Sequence, residues 1–324
     1  MMINRTTIQN ALEAIPFFIL AYSVRLLPRT LALNFGRYLG RFSRFLQPAR
    51  SRTAYENLKR AYPEYPESWH KGTRNKVFEH LGISAVEMLR LDSFNSKADL
   101  ERYFQFEGLE HLDSLRATPT GAFFFSGHIG FWETGTFFLG QLGFSADFVA
   151  KTIRNPFIDQ FFLRQREAGG GHCLDSKNGA RRILRALAQK RQVCVLLDQH
   201  ISKKQAVIVN FFNRPAYATP IIPQIALKTG VPIFPMFTYR NPDFTYRVII
   251  HPPLQLEGPE TAENIQRHTQ TLSNILEKAV REQPDQWFWV HRRWRKSAEI
   301  RQIIVPPTTT SPPAETSNSS GEDQ

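Results

Sequence analysis

From Gly121 onward, short apolar runs alternate with stretches of helical period, and that alternation leaves the chain few architectures to choose from. Candidate strands lie at 121–126, 146–150, 192–198, 206–211, 232–238 and 245–251, with helices near 131–142, 156–168, 178–190, 219–229 and 261–283. Strands separated by helices pair in parallel through helical crossovers, so the pattern predicts an α/β fold with a mostly parallel sheet flanked by helices. Ligands of such sheets gather outside the carboxyl ends of the strands. His128, which follows the 121–126 run, and Asp198, which closes the apolar run VCVLLDQH with Gln199 beside it, both fall at such ends.

The first of these ends reads GAFFFSGHIGFWETG, residues 121 to 135. An apolar aromatic run closed by glycine is the mark of a buried strand entering a turn. His128 and Glu133 are five positions apart, about 500° along a helix, so the pair must straddle a turn to meet. With His128 on the glycine-flanked loop and Glu133 in the first helical turn, the carboxylate folds back onto one imidazole nitrogen and leaves the other free. An imidazole so held can take a proton from a hydroxyl near neutral pH. No serine or cysteine nucleophile elbow accompanies the pair, which points to direct attack by a substrate hydroxyl, with loop amides stabilising the oxyanion. His172 and His200 lack metal-ligand spacing and read as ordinary polar residues.

Charge is uneven along the chain. The net formal charge is +12, and residues 1 to 60 hold ten Lys and Arg against Glu13 and Glu56. A basic end suits an anionic lipid, an acidic protein or nucleic acid. Residues 6 to 27 are the most apolar segment, with eleven uncharged positions between Glu13 and Arg25. A membrane span needs about 20, so the segment suits an interfacial helix or a short anchor, or else a soluble helix packed on the domain. The leading region has only Arg5 and no small-residue cleavage site, unlike a cleaved signal. Residues 30 to 46 form a second, basic amphipathic helix. Either its aromatics enter a lipid headgroup layer, or they face the core with Arg37, Arg41 and Arg44 in solvent. Residues 1–46 are thus expected as membrane-associated helices, 47–304 as the α/β domain and 305–324, rich in Pro, Thr, Ser and Glu, as a disordered tail. Two cysteines, Cys173 and Cys194, make no disulfide framework and fit a reducing compartment. From the residues alone, an enzyme and a basic membrane- or nucleic-acid-binding protein both stay open.

The segment SGHIGFWETG resembles the HxxxxD/E motif of the lysophospholipid acyltransferase superfamily, and within it the bacterial lipid A biosynthesis acyltransferases. RNPFID at 154–159, Arg166, LLDQ at 196–199, FFNRPAYAT at 211–219, LKTGVPIFP at 227–235 and DQWFWVHRRWRK at 285–296 extend the resemblance in order over nearly the whole chain. Phe131 stands where that family often has Asn. The resemblance implies a glycerolipid acyltransferase-like domain at the cytoplasmic face of a bacterial inner membrane. The implied donor is a thioester on acyl carrier protein and the implied acceptor an anionic glycolipid, the acylated, phosphorylated glucosamine disaccharide. His128 and Glu133 become the catalytic pair, and no metal, redox cofactor or nucleic acid is expected. Arg166, with Arg164 as a second candidate, would bind a phosphate or carbonyl oxygen. Asp198 and Gln199 would orient a substrate polar group or a basic partner. The closing segment would sit at the mouth of the site with its arginines toward substrate phosphates. Acylation of a different lipid by the same pair is the alternative enzymatic reading.

Overall fold

The structure is a computed structural model that describes residues 5–94, 96–175, 179–295 and 300. The tail expected at 305–324 lies outside the described residues. Four helices come first: α1 (Arg5–Leu26), α2 (Arg29–Leu46), α3 (Pro48–Ala61) and α4 (Glu67–Met88). Prolines punctuate them, because the residue before a proline is pushed out of the helical region and proline is tolerated at a helix start. Pro28 precedes α2, Pro48 opens α3, and Pro63 and Pro66 break the chain before α4.

Helix α2 lies against α4 at small residues. A Cβ on Gly40 would stand 2.1 Å from the Phe78 carbonyl oxygen, and one on Gly82 2.1 Å from that of Gly36, so only glycine permits this approach. Ala32, Leu33, Gly36 and Gly40 therefore face inward, and the large side chains face out. Arg41 pairs with Glu79 at 2.7 Å, and Arg44 donates to Asn75. This corrects the core-facing alternative: the aromatics point to solvent while two of the arginines turn toward α4. Among the described residues, every exposed large apolar side chain except Tyr65 and Phe157 lies between Ile8 and Leu46. Helix α1 rests on the body through Phe17 against Phe161 (5.3 Å between ring centroids) and the Arg25–Asp92 pair (2.7 Å). Arg90 caps its end by donating to the Val24 and Leu27 carbonyls. No helix among the described residues is long and apolar enough to cross a membrane.

The remainder alternates, as expected from residue 121 onward apart from the short strands β4 and β7: α5 (Lys97–Tyr103), β1 (Phe104–Glu107), α6 (Asp113–Ala117), β2 (Ala122–Ser126), α7 (Thr134–Gln141), β3 (Ala146–Ala150), α8 (Pro156–Glu167), β4 (Cys173–Asp175), α9 (Gly179–Ala188), β5 (Gln192–Leu196), β6 (Val207–Asn210), β7 (Pro215–Ala218), α10 (Ile221–Thr229), β8 (Ile233–Arg240), β9 (Tyr246–Ile250) and α11 (Ala262–Glu282). The sheet runs β1-β9-β8-β2-β5-β3-β4, parallel at every pairing except β8 with β9. The mostly parallel α/β sheet is thus present. The 206–211 run departs from expectation, since β6 pairs with β7 in a separate antiparallel ribbon. Strands β1, β4 and β7 have only three or four residues each, too short to carry a periodic signal. Helices cover both faces, so β2 is apolar at consecutive positions. Phe123 and Phe125 join Leu58, Ile183 and Trp287 on one side, and Phe124 joins Phe137 and Phe104 on the other.

Candidate active site

Strands β2 and β5 are adjacent and in register, with Ser126 opposite Leu196. Two residues beyond each strand end, the chain places His128 and Asp198 level with one another. His128 Nδ1 lies 2.7 Å from Asp198 Oδ1, and the His128 amide donates to Oδ2 at 2.9 Å. The Trp287 indole N–H donates to the same Oδ2 at 2.8 Å. Asp198 is 2% exposed. Burial opposes its charge, but the His128 charge, two hydrogen bonds from His128 and the one from Trp287 outweigh it and hold the carboxyl at about 2.

A carboxylate only accepts, so Nδ1 carries the imidazole proton and Nε2 presents a lone pair. That nitrogen lies 3.2 Å from the Gln199 side-chain nitrogen, which donates to it. Burial lowers the His128 pKa, and the charge and hydrogen bond of Asp198 outweigh burial, with Glu133 adding and Arg166 subtracting. The net shift is upward. Trp132 and Phe288 flank the ring at 5.1 and 5.7 Å between centroids.

Glu133 does not orient His128. Both its oxygens are held by Arg166 from α8, Nε to Oε2 at 2.7 Å and Nη2 to Oε1 at 2.8 Å, and the Trp132 indole adds 3.2 Å to Oε1. A fork of two charged donors outcompetes a neutral imidazole for a carboxylate. The same pairing answers the expectation for Arg166, which spends two donors on Glu133 instead of standing free. Arg164 is exposed and lines no part of the cavity. Four of the loop amides expected to hold an oxyanion are committed: His128 to Asp198, Ile129 to the Gly127 carbonyl, Gly130 to that of Gln286 and Phe131 to that of Thr238. Gln199 and Arg166 are donors that line the cavity with the imidazole.

The cavity has a volume of 1020 Å³, at the upper end of the roughly 300–1,000 Å³ of small-molecule sites. His128, Glu133, Arg166 and Gln199 belong to its polar lining, together with Lys151, Arg181, Gln205 and Gln224. Phe124, Cys194 and Phe148, neighbours in register on β2, β5 and β3, line an apolar part with Met236 and Gly135. Burial, with a smaller push from Asp147, raises the Cys194 thiol to about 12, so it stays protonated and is no nucleophile. Among the described residues, no group of three or more His, Cys, Asp or Glu could hold a metal ion.

The segment 285–296 is not an arginine-bearing mouth. Trp287, Trp289 and Trp294 are core residues, and Lys296 lies outside the described residues. Arg293 is 1% exposed and donates to the Gln199 and Tyr217 carbonyls. Arg292 and Arg295 are exposed. Trp287 and Arg293 thus support Asp198 and Gln199 from below, a role that an alternation of aromatic and basic residues does not announce.

Fold and site together define a class: an α/β protein with a carboxylate-held imidazole at a strand-end crevice that opens on a partly apolar cavity. Residues 8–296 match the family described as bacterial lipid A biosynthesis acyltransferase, and the chain belongs to that family. It is an acyltransferase acting on lipid A or a related lipid. It is similar to the lipid A biosynthesis lauroyltransferase of Escherichia coli, 24% identical over 277 residues, which is 84% of this chain and 88% of that one. It is also similar to the phosphatidylinositol mannoside acyltransferase of Mycobacterium tuberculosis, 26% identical over 219 residues, 64% of this chain and 66% of that one. Among solved structures, the 1-acyl-sn-glycerophosphate acyltransferase PlsC of Thermotoga maritima aligns with 74% of this chain and 98% of its own, at 15% identity and a TM-score of 0.36.

Proposed function

We propose that this protein moves a fatty acyl group from a thioester on acyl carrier protein to a hydroxyl of a lipid A precursor, with His128 as the general base. The observation that carries the reading is an imidazole whose Nδ1–H is fixed by Asp198 and which lines a large, partly apolar cavity with its Nε2 lone pair unclaimed by any acid. The acceptor hydroxyl takes the place of the Gln199 amide at Nε2 and gives up its proton as the oxygen attacks the thioester carbonyl. Asp198 stabilises the imidazolium so formed. The Gln199 amide and the remaining Arg166 N–H groups, which line the cavity with the imidazole, serve the oxyanion. Collapse of the tetrahedral intermediate breaks the carbon–sulfur bond, and the leaving thiolate recovers the proton from His128. Glu133 keeps Arg166 in place and supplies a fixed polar rim for the acceptor.

The exposed apolar faces of α1 and α2 support seating at the cytoplasmic face of a bacterial inner membrane, where such an acceptor resides. An acidic carrier protein and an anionic lipid both complement the net charge of +12. The similarity to a phosphatidylinositol mannoside acyltransferase favours, as a second reading, the same chemistry on a different glycolipid. Incubation of the purified protein with acyl carrier protein thioester and either acceptor, followed by mass spectrometry of the lipid, distinguishes these. The expected product is the lipid A precursor heavier by one acyl chain, absent with His128→Ala. Acylation of the mannoside alone selects the second reading, and an unchanged lipid with both acceptors removes the proposal.

A further inference from the structure

The loop that carries the base is held from behind by a cluster to which the acyl-transfer reading assigns no part. His80, Ser84 and Glu87 of α4, Arg240 of β8 and Tyr246 of β9 are all buried. Arg240 donates from Nε to Glu87 Oε1 at 3.0 Å, and from Nη2 to Glu87 Oε2 and to Ser84 Oγ, the latter at 2.9 Å. Its Nη1 meets His80 Nδ1. The other nitrogen of that ring, Nε2, lies 3.1 Å from the carbonyl oxygen of Gly130. Tyr246 donates its hydroxyl to Glu87 and accepts from Arg29 at 2.8 Å, which ties α2 to the same cluster.

Counting hydrogens leaves one arrangement. A guanidinium has only donors, so Nδ1 of His80 must be a lone pair, and a neutral ring then carries its proton on Nε2 and donates it to Gly130. Protonating Nδ1 would aim two donors at each other in a buried place. Burial first, and the Arg240 charge second, accordingly hold His80 well below the usual histidine range against the pull of the Gly130 carbonyl.

Gly130 is a tight point of the loop. Its φ is +56°, and a Cβ there would stand 1.7 Å from the Thr238 carbonyl oxygen. Its amide donates to the Gln286 carbonyl at 2.9 Å, and the Gln286 side chain is bound to the Arg240 backbone by two hydrogen bonds of 2.8 Å. Arg240 therefore reaches Gly130 twice, through His80 at the carbonyl and through Gln286 at the amide. Two residues back along the chain stands His128.

We propose that His80 is a positioning residue for the base: in the tautomer that Arg240 and Glu87 impose, its Nε2–H fixes the Gly130 carbonyl and with it the loop that aims His128 at Asp198 and the cavity. The inference rests on the reading of His128 as the base.

Its test compares His80→Leu, which fills the space without a donor, with His80→Gln, whose amide can accept from Arg240 and donate to Gly130. His80→Leu is expected to lower kcat by about 10- to 100-fold with KM changed no more than about twofold, as small misplacements of a base do. His80→Gln is expected to recover most of that loss. The second readout needs no substrate: titration of the His128 imidazole by NMR in the free protein. His128 is faced by Asp198, Glu133 and Arg166, with His291 also within electrostatic reach. His80→Leu slackens the contact with Asp198, so its His128 is expected to titrate lower than in the wild type, and His80→Gln close to the wild type. Glu87→Gln leaves His80 in place but loosens Arg240, and is the milder variant expected to move both readouts in the same direction should His80→Leu fail to fold. An unchanged kcat and an unchanged His128 titration in folded His80→Leu overturn the proposal, as does a His80→Gln protein as impaired as His80→Leu in both. A wild type that transfers no acyl group, with the His128 shift still present in His80→Leu, defeats the functional reading and leaves the positioning role standing.

Discussion

Two carboxylates stand near one imidazole, and the molecule holds them in opposite ways. Asp198 sits at a strand end, 2% exposed, with His128 on one oxygen and two neutral N–H donors on the other. Its charged partner is a base that changes charge as it works. Glu133 sits at the start of α7, bound through both oxygens by Arg166, a cation that stays charged at every working pH. The field of the Glu133–Arg166 pair is therefore constant through a reaction, whereas the attraction between Asp198 and His128 strengthens at the step where His128 takes a proton. What selects the orienter is competition for the carboxylate. Glu133, five residues from His128, loses it to Arg166, and Asp198, 70 residues away, is free to take it.

The largest expected effect follows directly. Asp198→Asn keeps the size of the side chain but removes the charge that fixes the Nδ1–H tautomer and stabilises the imidazolium. A loss of kcat on the order of 10³- to 10⁴-fold is expected, as for carboxylates in this position elsewhere. Steady-state transfer to the lipid acceptor measures it, and a loss smaller than tenfold would hand the orienting role back to Glu133. Glu133→Gln acts at one remove. It frees Arg166, which then swings from its place at the rim, and about a 10²-fold loss is expected, with KM for the acceptor rising as well. Arg166→Lys, unable to fork onto both oxygens, should show the same pattern. If Glu133→Gln costs more kcat than Asp198→Asn, the comparison is reversed.

This contrast also marks what was legible in the sequence. The strand 121–126, its glycine-closed end and His128 were readable because an apolar run buried on both faces has few alternatives. The local partner Glu133 was readable only as proximity, since nothing nearby announced that Arg166 would claim it from α8. Asp198 was visible as a strand-end acid. Its pairing with His128 depends on β2 and β5 being neighbours in register, a signal present only as two ionisable residues each standing two places past an apolar strand. Arg293 and the tryptophans of 285–296 read as a charged, aromatic surface because composition says nothing of burial. On α2 the small residues Ala32, Gly36 and Gly40 decided which side faced inward, against the usual rule that the bulky apolar side is the buried one. His80, Glu87 and Arg240 come from distant parts of the chain, and only the fold brings them together.

A smaller effect tests how the buried carboxylate is kept charged. Trp287→Phe removes one of the three hydrogen bonds on Asp198 and leaves His128 its partner. The loss of stability is about 1.5–3 kcal/mol, the size of one hydrogen bond to a charged group. Catalysis requires neutral His128, whose pKa is raised above 6.5, so activity should fall with acid along a limb centred above that value. With one donor fewer, the Asp198 charge is less spread and attracts the imidazolium more strongly, so in Trp287→Phe the limb should move up by less than about one pH unit. In Asp198→Asn, which removes that charge, it should move down. The pH profile of kcat/KM checks both, and a limb that stays fixed in Asp198→Asn would mean that Asp198 does not set the basicity of His128.

The last effect is on the pH dependence of stability, and its sign depends on both partners. Asp198 is depressed from 3.8 to about 2, so the stability it contributes is full above 3.8 and is lost as pH falls through about 2. The His128 pKa is raised, so its contribution is full below 6.5 and is lost as pH rises through the folded value. These are two faces of one attraction, which acts only where both groups are charged and is counted once. The wild type should therefore exceed Asp198→Asn most between roughly pH 4 and 6.5, by about 2 kcal/mol, with the difference shrinking toward either side. Urea unfolding of both proteins from about pH 3 to pH 9 measures that window. Glu133→Gln, which breaks a pair with a permanent cation, should lose stability without the decline above pH 6.5. A difference for Asp198→Asn that also persists undiminished into alkaline pH would show that the carboxylate is held by its neutral donors alone, and that His128 contributes nothing to its place.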